Sequence, residues 1–152
     1  MNPSTETTPA LWRRLAAAAY DSLIVVALWF LGTALILPLT GGEAVDPRTP
    51  GGLLYQLYLL AIGFLFFGGF WTHGGQTLGM LAWRVKLVPD ADGGRVTWAQ
   101  ALKRYLAAIL SWVMFGAGFW WACFDREKRT WHDRLSGTRL MSAPYNVQLS
   151  NQ

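Results

Sequence analysis

The sequence predicts an all-α polytopic membrane protein of three apolar helices with a short cytoplasmic β-hairpin. Hydrophobic residues make up 53% of the 152-residue chain and charged residues only 14%, whereas a soluble domain carries about 25% charged residues. Three uncharged stretches of 18, 19 and 20 residues match the roughly 20 residues that a helix needs to cross a bilayer. The predicted spans cover residues 15–39, 53–71 and 105–124.

Polar segments at both ends frame a single domain. Residues 1–10 are polar and contain two prolines, which predicts a disordered tail, and residues 142–152 form a second polar tail. Residues 11–141 are therefore predicted to be the transmembrane domain. The first stretch is too long for the apolar region of a cleaved signal peptide, and no small-residue cleavage motif follows it.

The basic residues predict the orientation of the chain. The loop at 40–52 has a net charge of −1 and the loop at 72–104 has a net charge of +3, so the positive-inside rule places the N-terminus and the second loop in the cytoplasm. The segment after the third stretch is basic as well. The third stretch is therefore either a third span, against the rule, or a re-entrant hairpin broken at Phe115–Phe119 that returns the chain to the cytoplasm.

The loop at 72–104 contains signals for regular structure. Apolar and basic residues alternate from Trp83 to Val88, and the turn-forming residues 89–94 follow. This pattern predicts a β-hairpin in which Arg95 and Val96 pair back onto the first strand. Thr97 and Gln100 have the spacing of a capping box, which predicts the start of the third helix there.

Asp21 is the only acidic residue within a predicted span, and an ionisable group inside a membrane is a candidate functional group. Arg14 precedes it by two helical turns, about 10 Å along the axis, which is too far for a direct ion pair. Asp21 must therefore find a tertiary partner, face a wet cavity or stay protonated, and the candidate partners are Arg104 and the basic residues of 126–139. The alternative is that Asp21 lies in the headgroup region or forms a purely structural pair.

The other titratable residues do not predict an enzyme. His132 and Asp133 are adjacent but have no Ser or Cys nucleophile beside them, so a structural cap or ion pair is favoured for Asp133. His73 and His132 are isolated, and no metal site or cofactor is expected. The glycines of 74–79 lack the Lys-Ser/Thr ending of a phosphate loop and predict a structural elbow. Nucleic-acid binding is not expected, because topology explains the basic residues.

Several motifs in this chain resemble those of the RDD family of small bacterial membrane proteins. These are an Arg and an Asp seven residues apart at the head of the first span, a G-x-T-L-G turn, and the ending F-D-R-x-x-x-x-W-H-D-R-L-S-G-T-R. The resemblance covers residues 11–141 and identifies Arg14, Asp21 and Asp133 as the residues that give the family its name. It implies a multi-pass protein of the bacterial inner membrane.

The resemblance also implies a function, which is transport of an unidentified ligand, including cation/proton exchange. Two or three helices are too few to enclose a pathway, so transport requires an oligomer or a partner. In this hypothesis Asp21 is a proton or cation site, and Arg14 and Asp133 gate or orient it. Accessory roles fall to five further residues, Arg104, His132, Gln76, Thr77 and Gly79. The alternative is a non-transport accessory or assembly subunit that binds other membrane proteins. The expected partners are the lipid bilayer and either further copies of the chain or another membrane protein.

Overall fold

Two long apolar helices form the largest part of the fold. The computed structural model describes residues 8–91, 94–114, 121 and 129–143. Helix α1 (Leu11–Ile36) continues into a 3-10 turn (Leu37–Thr40), and helix α2 (Pro50–His73) follows. Both are long and apolar enough to cross a membrane, and only 11% of the residues in the most apolar 18-residue stretch of each helix are buried. Since a core helix of a soluble protein would be mostly buried, the predictions at 15–39 and 53–71 are confirmed as candidate membrane spans.

Helices α1 and α2 pack antiparallel through polar contacts as well as apolar ones. The indole Nε1 of Trp29 donates to the carbonyl of Leu59 at 2.8 Å, and the hydroxyls of Thr33 and Tyr55 are hydrogen-bonded at 2.6 Å. Helix α2 is capped by Thr49, whose side chain accepts the backbone N–H of Gly52 at 3.1 Å. Internal partners of this kind are required wherever water is absent.

A third, shorter helix runs along α2. Helix α4 (Trp98–Val113) begins with the predicted capping box of Thr97 and Gln100, which is confirmed, and it starts seven residues earlier than position 105. The hydroxyl of Tyr105 donates to the carbonyl of Leu60 on α2 at 2.9 Å. Residues 115–120 and 122–128, including the predicted break at Phe115–Phe119, lie outside the described residues. Within the described part of the chain only α1 and α2 qualify as candidate spans, so a third span stays a prediction.

The sheet corrects the predicted hairpin. After the short helix α3 (Leu78–Ala82), strand β1 (Val85–Pro89) pairs antiparallel with strand β2 (Thr138–Ser142), which follows helix α5 (Trp131–Ser136). The register runs from Val85 opposite Ser142 to Pro89 opposite Thr138. The predicted pairing with Arg95 and Val96 is therefore wrong. Val96 is buried in the core as coil, while β2 supplies the ladder hydrogen bonds to β1.

The core lies at the end of the molecule where α1 begins and α2 ends. Its buried apolar residues come from the four helices α1 to α4, from β1 and from the segment before α4: Ala17, Trp71, Met80, Val85, Leu87, Val96, Ala101 and Tyr105. Of the two predicted tails, residues 1–7 and 144–152 lie outside the described residues. Pro9 is buried, and its carbonyl accepts a hydrogen bond from Nε of Arg14 at 3.0 Å. The end of the first predicted tail therefore belongs to the folded domain.

Candidate functional site

Asp133 is the centre of a buried polar cluster that joins three helices. Its Oδ1 accepts a hydrogen bond from Nη1 of Arg104 on α4 at 2.6 Å, and its Oδ2 lies 3.8 Å from Nη1 of Arg14 on α1. The three side chains are at most 5% exposed. Nη1 of Arg104 also donates to the hydroxyl of Thr138 at 2.9 Å. The cluster therefore ties the C-terminal segment to the start of α1 and to α4.

The local sequence of α5 explains why Asp133 is fixed in this position. Thr130 caps the helix, and its backbone N–H donates to Oδ2 of Asp133 at 2.9 Å. The C-cap residue Gly137 adopts a left-handed φ of 62°, which turns the chain directly into β2. Asp133 is thus both a helix cap and an ion-pair partner, which are the two structural roles that the sequence favoured for it.

The charge state of the cluster follows from its surroundings. Burial would raise the pKa of Asp133, but the Arg104 guanidinium and the hydrogen bonds from Thr130 outweigh burial and hold this pKa at about 2. Burial and the nearby guanidinium groups of Arg104 and Arg14 lower the pKa of His132 to about 3. At neutral pH, Asp133 is therefore ionised and His132 is uncharged.

Asp21 finds its tertiary partners in the turn between α2 and α3. The hydroxyl of Thr77 donates to its Oδ2 at 2.5 Å, and the backbone N–H of Gly79 donates to its Oδ1 at 2.9 Å. The predicted pairing of Asp21 with Arg104 is wrong, because Arg104 pairs with Asp133 instead. Among the described residues no basic side chain forms an ion pair with Asp21.

Glycine is required at position 79 by this close approach. A Cβ at Gly79 would lie 2.9 Å from Oδ1 of Asp21 and closer still to the carbonyl oxygen of Ala17 on the α1 backbone, and ordinary van der Waals contact allows neither approach. Gln76 completes the turn, since its side-chain amide donates to the carbonyl of Val85 at 2.9 Å. The predicted elbow thus docks on α1 and on β1 through Gln76, Thr77 and Gly79.

A cleft of about 480 Å³ brings the two polar groups together. It lies between α1 and α4 over α2, and its charged or titratable lining residues are Arg14, Asp21, Arg104, Tyr105 and His132. Asp133 contacts Arg14 and Arg104 but is not part of the lining. The rest of the lining is apolar apart from Ser22, and it comes from the three helices, from α3 and from both strands. The described part of the chain contains no group of three His, Cys, Asp or Glu side chains that could hold a metal.

Some residues of this site were not predicted from the sequence. Thr130 and Thr138 hold Asp133 and Arg104, and the Trp71 ring lies 5.5 Å from the Arg104 guanidinium carbon. Only Thr130 gives a local signal, because its spacing from Asp133 resembles a capping box. The other two contacts depend on packing between segments that are distant in sequence.

A family model described as the RDD family matches residues 8–137. The chain belongs to the RDD family. Of the three residues that the resemblance connects with the family's name, Arg14 and Asp133 meet in one cluster, and Asp21 borders the same cleft as Arg14.

Two curated relatives of this RDD chain are uncharacterized proteins. RP437 of Rickettsia prowazekii (strain Madrid E) is 31% identical over 95 residues, which is 60% of this chain and 53% of that protein. YxaI of Bacillus subtilis (strain 168) is 28% identical over 153 residues, covering 90% of this chain and 98% of that protein. The chain thus matches about half the length of the Rickettsia relative. No solved structure matches it. The RDD family and the two apolar helices together indicate a membrane protein.

Proposed function

We propose that this RDD chain is a subunit of an oligomeric membrane transport protein whose cleft holds the ligand, and that Asp21 carries the exchanged proton or cation. The observation that carries the proposal is the cleft itself, because Arg14, Asp21, Arg104 and His132 all border it. Among the described residues, Asp21 is the only carboxylate in that lining. Ionisable groups that border an intramembrane cavity are typical of ion and proton pathways.

The contacts of Asp21 suggest how proton binding is coupled to movement. As a carboxylate, Asp21 accepts two charge-assisted hydrogen bonds, from Thr77 and from Gly79. Such bonds are roughly twice as strong as those between neutral groups. Proton uptake at Asp21 would weaken both, and they hold the α3 turn against α1 beside the cleft. Binding of a proton would thereby loosen one wall of the ligand site.

The oligomer in this proposal follows from the small number of helices. Among the described residues, two candidate spans and α4 leave the outer side of the cleft exposed, and Val113 there is 73% exposed. A closed pathway across the bilayer therefore needs further copies of the chain or a partner protein. The proposal assigns no catalytic role to the chain.

We also propose a topology in which the N-terminus, the loop after α2 and β2 all lie in the cytoplasm of a bacterial cell, with the chain in its inner membrane. The distribution of basic residues supports this orientation. Paired strands cannot lie on opposite sides of a membrane, so the β1–β2 ladder favours a re-entrant path between α4 and α5 over a third single crossing.

Flux in everted membrane vesicles tests the transport proposal. Addition of Na⁺ or K⁺ to vesicles that hold an acidic interior should release protons when the wild-type protein is present. Asp21→Asn should abolish this flux, because the amide keeps an acceptor for Gly79 but cannot exchange a proton near neutral pH. The matched control Asp46→Asn makes the same change at an exposed loop position and should leave the flux intact.

Two results would overturn the transport mechanism. One is the absence of Na⁺, K⁺ or proton flux in liposomes that contain the purified wild-type protein. The other is unchanged flux in Asp21→Asn. Absence of flux together with co-purification of one fixed membrane-protein partner would instead favour the accessory role.

A further inference from the structure

Arg104 presents unused hydrogen-bond donors to the cleft. A guanidinium has five N–H donors, and the hydrogen bonds of Arg104 within the described structure all leave from Nη1, to Asp133 and Thr138. Its Nε and Nη2 have no acceptor there, although Arg104 is only 4% exposed. Since the residue lines the cleft, these donors border a space that can admit an oxygen-rich group. Neither atom is among the fully buried side-chain atoms without a partner in the described residues, so both are accessible from that space.

Arg14 places a second guanidinium at the same end of the cleft. It also lines the cavity, and it lies on α1, opposite Arg104 on α4. Asp133 contacts both guanidinium groups and is not part of the cleft lining. Asp21 is already held by Thr77 and Gly79. The donors at this end therefore suit an anionic group with several oxygens, such as a phosphate.

Away from the arginines the cleft is apolar and open sideways. Val25 and Trp29 line the α1 side, and Ala108 and Trp112 line the α4 side. Trp112 lies eight residues beyond Arg104, about 12 Å along the helix, which is close to the roughly 15 Å depth of one leaflet. Val26 and Trp112 are 42% and 65% exposed at the outer edge. The apolar part of the cleft therefore opens towards lipid acyl chains.

We propose that the cleft binds one anionic phospholipid from the bilayer. Its phosphate oxygens accept hydrogen bonds from the Nε and Nη2 of Arg104, beside Arg14, and one acyl chain lies between α1 and α4 along Ala108 and Trp112. A free phosphate would use the arginines but not the apolar wall, which is why the lipid is the favoured occupant. This inference rests on the proposed function, since it names the class of ligand held by the same cleft.

Lipid retention measured by native mass spectrometry tests the proposal. The full chain is placed in nanodiscs of equal parts phosphatidylglycerol and phosphatidylcholine and then released. The wild-type protein should retain one phosphatidylglycerol per subunit. Ala108→Phe fills the apolar wall and should reduce retention at least tenfold. Ala34→Phe, the same change at an exposed α1 position outside the cleft lining, should retain the lipid as the wild type does.

A second variant tests the head of the lipid. Arg104→Lys keeps the positive charge but loses the forked donors, so retention of phosphatidylglycerol should fall about tenfold. The melting temperature of the variant shows whether it is still folded. Equal retention of the two lipids by the wild type, or equal retention by Ala108→Phe and Ala34→Phe, would overturn the proposal. Binding of inorganic phosphate in detergent micelles with equal affinity to wild type and Ala108→Phe would show a free-anion site instead.

The two proposals fail separately. If phosphatidylglycerol is retained but no proton or cation flux is found, the lipid site stands and the exchange mechanism falls. If flux depends on Asp21 but phosphatidylglycerol is not retained, only the lipid assignment falls.

Discussion

Asp133 and His132 are neighbours in sequence but have opposite charge behaviour. Asp133 stays ionised because Arg104 and Thr130 stabilise the carboxylate, whereas His132 stays neutral because burial and two guanidinium groups disfavour a second cation there. Breaking a buried ion pair by removing one partner typically costs about 3–5 kcal/mol. These two residues therefore set how the stability of the cluster depends on pH.

We predict that the folded protein loses stability as the pH falls from about 6.5 towards 4. In this range the unfolded chain binds a proton on His132, while the folded chain does not, because its pKa is about 3. Stability therefore rises with pH across the window, by about 1.4 kcal/mol per pH unit for one proton. Asp133, with a pKa of about 2, adds a further loss only between about pH 4 and 2.

Thermal or denaturant unfolding in detergent, followed by tryptophan fluorescence, measures this slope. His132→Gln should flatten the dependence between pH 6.5 and 4. His73→Gln changes an exposed histidine and should leave the slope unchanged. A slope that is the same in wild type and His132→Gln would show that a different group titrates.

At the scale of elements, the turn around α3 and the sheet determine how the site is assembled. Thr77 caps α3 and also binds Asp21, so one residue both starts a helix and docks it on α1. Strand β1 follows α3, and β2 pairs with β1 so that Leu140 lies opposite Leu87. The guanidinium of Arg13 supports the junction by donating to the carbonyl of Trp83 at 3.1 Å. The contacts of Asp21 with the α3 turn and the two-stranded sheet thus form one structural unit.

Disulfide cross-linking tests the strand register. Cys123 is the only cysteine of the chain, so the pairs are made in a Cys123→Ser background. Lys86→Cys with Met141→Cys joins directly opposed residues and should form a disulfide on mild oxidation, since opposed strand residues have suitable Cα separations. Lys86→Cys with Arg95→Cys, which represents the local hairpin, should not. Cross-linking of the second pair alone would contradict the sheet.

At the scale of the whole molecule, the sheet lies at the same end of the domain as the start of α1 and the end of α2. The start of α1, the end of α2 and both strands surround the same core, while the loop that contains Glu43 and Asp46 lies at the far ends of α1 and α2. The molecule therefore has one structured, basic end and one simple acidic loop. In a membrane this asymmetry predicts a single orientation.

Labelling of single cysteines in spheroplasts tests that orientation. In the Cys123→Ser background, a membrane-impermeant maleimide should label Glu43→Cys directly. Arg95→Cys and a cysteine added after Gln152 should be labelled only after permeabilisation. Labelling of the C-terminal cysteine in intact spheroplasts, with Arg95→Cys still protected, would contradict the paired strands.

The sequence by itself determined the features that depend on neighbouring residues. The lengths of the uncharged runs predicted α1 and α2, and the spacing of Thr97 and Gln100 predicted the start of α4, because helix formation and capping are local. The motifs around Asp21 and Asp133 indicated the RDD family. The same local arguments predicted the wrong partner for β1, since a strand can pair with any compatible segment of the chain.

Only the tertiary structure decided which groups meet. Asp21 is satisfied by a hydroxyl and a backbone N–H from a turn 56 and 58 residues away, and a search for opposite charges overlooks a backbone donor. Arg104 is drawn instead to Asp133, whose carboxylate is fixed by the α5 cap. Polar groups inside a membrane must find partners within the protein, and packing rather than spacing determines which partners are within reach.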